Sequence, residues 1–117
     1  MTLPLAAAVI AAGALGALAR YLVGRAGANA TWPWPVLLVN VIGSLVAGFA
    51  MHTDVAAIVA VGFAGGLTTF STFSVETVQL VSRGRWRAAA ASVALNLTLG
   101  LGAATAGWFG GLALFAQ

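Results

Sequence analysis

The chain has no cysteine among its 117 residues, so disulfides, thiolate metal sites and cysteine nucleophiles are excluded, and redox compartment leaves no mark on it. Its acids are Asp54 and Glu76 and its single histidine is His52. These are too few for a nucleophile triad or a metal-ligand cluster, and no phosphate-cradling glycine loop is present, which argues against an enzyme. Charge is scarce as well: 6% of residues are charged and 62% are hydrophobic, a ratio that cannot clothe a soluble domain in polar surface. An integral membrane protein follows. The net charge of +3 comes from five arginines spread over short connections, which form no basic face for nucleic acid and suit membrane topology instead.

What is there is long apolar sequence. With about 20 residues needed to cross about 30 Å of hydrocarbon, the length allows four spans in one transmembrane domain, an all-α fold. The spacing predicts spans over residues 3–23, 34–51, 55–82 and 88–115, with both termini on one side. The first run lacks the positive start of a signal peptide and is longer than a signal h-region, so it reads as a span. Trp32 and Trp34 flank the proline-containing first connection as interfacial aromatics, and Trp86 does the same in the Arg83–Arg87 loop. In the second span Gly43/Ala47 and Ser44/Gly48 form rows of small residues, where another helix can approach closely.

The third span is unlike the others. Gly62 to Ser74 reads GFAGGLTTFSTFS, which places glycines, hydroxyls and phenylalanines where plain spanning helix is expected. A break is predicted near residues 65–69: Gly65 and Gly66 leave helical geometry at little cost, and Thr68, Thr69, Ser71 and Thr72 offer hydroxyls to backbone groups left unpaired. Non-helical backbone at mid-membrane depth is tolerated where protein buries it or where it lines a cavity, and its carbonyls can ligate a cation.

Other residues at membrane depth bear on a path. Asn40, about 9 Å of helix rise inside its span, is either interhelical glue or a donor on an ion route. Glu76 is too deep to snorkel freely, so it must be paired, protonated or wet. Phe70 and Phe73, three apart, share one face with Glu76 a turn further on; as packing they are ordinary, but directly after a break their electropositive ring edges could hold a small anion. Arg20 reads as a topology anchor or as a charge that draws anions into a vestibule.

Three segments resemble a known family, the small bacterial fluoride channels called Fluc or CrcB: Gly65-Gly-Leu-Thr-Thr-Phe-Ser-Thr-Phe-Ser74 with Glu76, Gly13-Ala-Leu-Gly-Ala-Leu-Ala-Arg-Tyr21, and Asn40-Val-Ile-Gly-Ser44. The resemblance covers the whole chain and its four-span plan. It implies a multi-pass protein of the bacterial inner membrane that lets fluoride leave the cell passively and so protects against its toxicity. It further implies an antiparallel dimer with two pores and one structural sodium ion at the interface. By family position the carbonyls of Gly65 and Thr68 would hold sodium, Phe70 and Phe73 would line the pore, Asn40 would donate to fluoride, and Thr72 and Glu76 would belong to a polar track. The fourth span departs from the family pattern. Ser92, Asn96 and Gly100 stand where many members carry a tyrosine and serines, with Asn96 a substitute donor.

Two rivals stand beside this reading. A small multidrug-type proton-coupled exporter has the same size and span number but would need an acid in the first span, which has none. A purely structural assembly subunit would use the small-residue rows and polar groups for packing alone. The arginines add an expectation of their own. Arg20, Arg25, Arg83, Arg85 and Arg87 all fall on the side of the first and third connections, so the positive-inside rule turns the termini outward. A subunit inserted mainly one way would need a differently charged sister subunit to make an antiparallel heterodimer, whereas balanced insertion would give the homodimer.

Overall fold

The computed structural model describes residues 1–115. Its elements are α1 (Leu3–Ala26), α2 (Trp34–Ala50), α3 (wound as a π-helix over Ala57–Ala64 and as a single α turn over Gly65–Leu67), α4 (Ser71–Ser82) and α5 (Trp86–Phe115). Three spans, Leu3–Ala26, Ala57–Ser82 and Trp86–Phe115, are long and apolar enough to cross a membrane, and α2 is a shorter apolar helix. The molecule measures 48 × 29 × 22 Å, and large apolar side chains such as Ile10, Leu22, Val78, Leu101 and Phe109 face outward along it. With lipid as the surrounding medium, apolar surface belongs outside.

Local signals explain the ends. Thr2 caps α1, its hydroxyl accepting from the Leu5 N–H at 3.2 Å, and proline stands in the first turns of α1 and α2, where no N–H is missed. Gly84, at φ 77°, closes α4 in a left-handed turn with Arg85 N–H bonded to the Leu80 carbonyl at 2.8 Å and Gly84 N–H to that of Val81 at 3.0 Å. α1 runs to Ala26. Arg20 therefore lies well inside the helix rather than in its last turn.

Two parallel helix pairs make the framework. α1 lies along α3, and α2 along α5, with the register set by glycines. A Cβ at Gly16 would run into the Phe63 carbonyl, at Gly62 into that of Val9, and at Gly66 into that of Gly13; on the other seam Gly48 meets Ala104, Gly107 meets Leu45 and Gly111 meets Phe49. Backbone thus touches backbone along both seams, as expected where apolar lipid offers helices no hydrophobic reason to associate.

The break falls at Thr68–Phe70, slightly beyond the glycine pair. Gly65 keeps helical angles, φ −62° and ψ −38°, while Thr68 is extended at φ −79° and ψ 156°. The expectation that Gly65 and Gly66 themselves leave the helix is corrected: Gly66 is a close-approach residue against Gly13, whereas a Cβ at Gly65 would meet nothing nearer than the Ala60 carbonyl at 3.8 Å.

Candidate functional site

The break is pinned by one side chain. Asn40 on α2 accepts from the Thr69 N–H at 2.8 Å through Oδ1, and its Nδ2 donates to the Thr69 carbonyl at 3.2 Å. An asparagine amide has one acceptor oxygen and two N–H donors, so it can mimic a backbone partner and close both polar groups of a residue that has left its helix. The second Nδ2 hydrogen goes to Asn96 Oδ1 on α5 at 3.1 Å, and Asn96 in turn donates to the Ser92 carbonyl at 2.8 Å. Ser92 is itself 2% exposed. Asn40 thus has both amide hydrogens engaged within the chain.

Thr69 is the residue that sequence reasoning left in the background. It is 8% exposed, and besides its two bonds to Asn40 its hydroxyl accepts from the Thr72 N–H at 3.2 Å, starting α4 in the manner of a cap. Thr68 completes the preceding turn, with N–H and hydroxyl both donating to the Ala64 carbonyl, at 3.0 and 2.9 Å. From α1, Arg20 Nε donates to the Gly66 carbonyl at 3.2 Å. For Asn40 with Thr69 and for Arg20 with Gly66 the only sequence signal was chemical type, because those pairs are far apart along the chain.

Two cavities adjoin the break and divide the predicted residues between them. One, of about 360 Å³, is lined by Asn40, Asn96, Phe70 and Phe73 together with Ser44 and Thr68. The rings of Phe70 and Phe73 meet edge to face, with centroids 6.1 Å apart and planes at 68°. Phe70 is 70% exposed, so this groove is open along the outer face of the chain. The other cavity, of about 560 Å³, holds Arg20, Thr72 and Glu76 and opens between the arginine-bearing connections. One carboxylate oxygen of Glu76, Oε2, is enclosed and takes no hydrogen bond among the described residues. Thr69 lines both cavities, and Gly65 lines neither.

Whether this backbone suits a cation can be asked of its carbonyls. Among the described residues no group of three or more histidines and acids could hold a metal, so a cation here would have to rest mainly on backbone oxygen. In a continuous helix the Gly65 carbonyl would accept from Thr69 N–H and the Thr68 carbonyl from Thr72 N–H. Those donors are bonded to Asn40 Oδ1 and to Thr69 Oγ1 instead. Both oxygens lose their helical partners by the same rearrangement, which fits the ligand set that a dehydrated sodium ion takes.

Helices with outward apolar surface, gathered around a third span broken between an aromatic groove and a polar cavity, define a multi-pass membrane protein with a candidate ion path. The chain belongs to the CrcB family: residues 7–108 match the family described as "CrcB-like protein, Camphor Resistance (CrcB)". It is similar to the "Fluoride-specific ion channel FluC 1" of Mycobacterium tuberculosis, at 41% identity covering 81% of this chain and 80% of the relative. The "Fluoride-specific ion channel FluC 2" of Symbiobacterium thermophilum is 42% identical over 86% of this chain and 92% of its own length. The "Fluoride-specific ion channel FluC" of Rhodospirillum centenum is 43% identical over 92% and 91%.

Proposed function

We propose that this protein is a passive, fluoride-selective channel of the bacterial inner membrane, which lowers cytoplasmic fluoride. The observation that carries the reading is the junction of an edge-to-face phenylalanine pair with the Asn40-pinned break, in a chain whose relatives bear the name of fluoride-specific channels. Electropositive ring edges attract a small anion without the formal charge that would trap it. Fluoride would pass Phe70 and Phe73, accept a hydrogen bond from Asn40 Nδ2 in place of Asn96 Oδ1, and continue by the hydroxyl of Thr72 past Glu76. The bidentate grip on Thr69 stays closed during that exchange, so the break need not move. Arg20 serves the vestibule by drawing anions in, and through the Gly66 carbonyl it also steadies the break.

In this reading sodium is structural. The carbonyls of Gly65 and Thr68 from each of two chains crossing at their breaks would supply four oxygens, and the bound ion would contribute positive charge at the dimer centre. The open groove around Phe70 would be closed by the second, antiparallel subunit, either a copy of this chain or a sister. The arginine count favours a sister, because Trp32 bonded to the Ala88 carbonyl and Arg85 to that of Thr31 hold both basic connections at one end. Reporter fusions at the termini test this: equal signal from both compartments would restore the homodimer. The transport reading itself is tested in liposomes with a fluoride electrode. Fluoride should leave protein-bearing vesicles rapidly while chloride stays; efflux equal to that of empty vesicles would refute it.

A further inference from the structure

The mouth of the larger cavity carries more cationic chemistry than a monatomic anion needs. Arg20, Arg25, Arg83 and Arg85 line it, against a single acid, Glu76. Arg25 and Arg83 are exposed, and their side chains make no hydrogen bond or ion pair among the described residues. Arg85 gives one of its five guanidinium N–H groups to the Thr31 carbonyl, which holds its side chain over the opening. Arg87 is different: it stacks on Trp86 with 5.4 Å from its guanidinium carbon to the ring centroid, and it does not line the cavity.

We infer that this mouth binds a phosphate group, between Arg25, Arg83 and Arg85. Guanidinium forks match the paired oxygens of phosphate bidentately, and charge-assisted bonds of this kind are about twice as strong as neutral ones. A single halide ion cannot engage several forks in that way. The cavity, at about 560 Å³, has room for an oxyanion with several waters, each taking about 30 Å³. Its place among Trp32, Tyr21 and the basic connections is the depth at which phospholipid phosphates lie, and anionic headgroups are drawn there by each arginine. The phosphate could therefore be a lipid phosphodiester or free phosphate. The site lies at the mouth of the cavity that also holds Thr72 and Glu76, and it rests on Arg25, Arg83 and Arg85 rather than on those two residues.

The test is calorimetric titration of the purified protein in phosphate-free maltoside detergent with inorganic phosphate, against chloride at matched ionic strength. Phosphate should bind the wild type, and Arg25→Gln with Arg83→Gln should weaken it at least about a hundredfold, because two charge-assisted contacts are lost at about tenfold or more each. Arg87→Gln should leave binding unchanged, and each single exchange at Arg25 or Arg83 should give an intermediate loss if the double variant does not fold. Nanodiscs with phosphatidylglycerol separate the sources: a weaker apparent affinity for free phosphate identifies the lipid headgroup as the competing occupant, and an unchanged affinity identifies free phosphate. Wild-type protein that takes up phosphate no better than chloride overturns the inference, and so does binding that survives in both single variants.

Discussion

Ala57–Leu67 and Ser71–Ser82 belong to one span yet are held in opposite ways. The first half lies in the bundle against α1 and α2, with Gly62 and Gly66 bringing its backbone onto that of α1, and its apolar residues wind as a π-helix. The second packs mainly on α5 and leaves Val75 and Val78 exposed, together with Phe70 just before its first turn. Between them the chain is fixed by side-chain hydrogen bonds from Asn40, Thr69 and Arg20. One half is a rigid wall built by shape, and the other is a ledge whose position depends on a few polar contacts and on whatever covers its outer face. Function concentrates on the ledge, where the phenylalanines, Thr72 and Glu76 sit.

If that contrast is right, the largest damage comes from the wall. Gly66→Leu forces a side chain into the Gly13 carbonyl, and backbone cannot yield as a side-chain tip can, so about 3 kcal/mol or more of stability should be lost. The check is the fraction of monodisperse protein in detergent and its melting temperature. Next comes the pin. Asn40→Ala strands the Thr69 N–H and carbonyl, each costing about 1–3 kcal/mol when buried, and should abolish most flux. Asn96→Ala, which removes only one bond to Asn40, should cost less in the same melting assay. An equal loss in the two variants would mean that the break is not held as described.

On the ledge, effects should fall on transport rather than stability. Phe70→Ile and Phe73→Ile keep volume but remove ring edges worth about 0.5–1.5 kcal/mol, so each should lower fluoride flux roughly two- to tenfold without moving the melting temperature. The smallest effect is expected at Gly65→Ala, whose new methyl meets only ordinary contact distances; stability should stay within about 0.5 kcal/mol. A large loss there would return the break to the glycine pair.

Much of this contrast was legible in the sequence, and the missing parts share a cause. Span positions followed from hydropathy, and the break from the clustering of Gly65, Gly66 and the hydroxyls, within a few residues of where it lies. Local composition carries that information. It does not carry the π-winding of Ala57–Ala64, whose apolar residues read as ordinary span, nor the role of Gly66, which is set by Gly13 across the seam. The links from Asn40 to Thr69, from Asn40 to Asn96 and from Arg20 to Gly66 join residues 29, 56 and 46 apart. Residue type marked Asn40 and Asn96 as polar in lipid, but only the parallel pairing of α2 with α5 decides that they meet.

The central claim is that fluoride crosses beside the break, along the phenylalanine edges. It is tested most directly by fluoride-electrode efflux from liposomes bearing either the wild type or Phe70→Ile/Phe73→Ile, with dimer content checked by size exclusion. The account predicts rapid fluoride efflux with chloride retained for the wild type, and efflux at least about fourfold slower for an equally dimeric double variant, as expected when both ring edges are lost together. Equal efflux from the two proteins would contradict it.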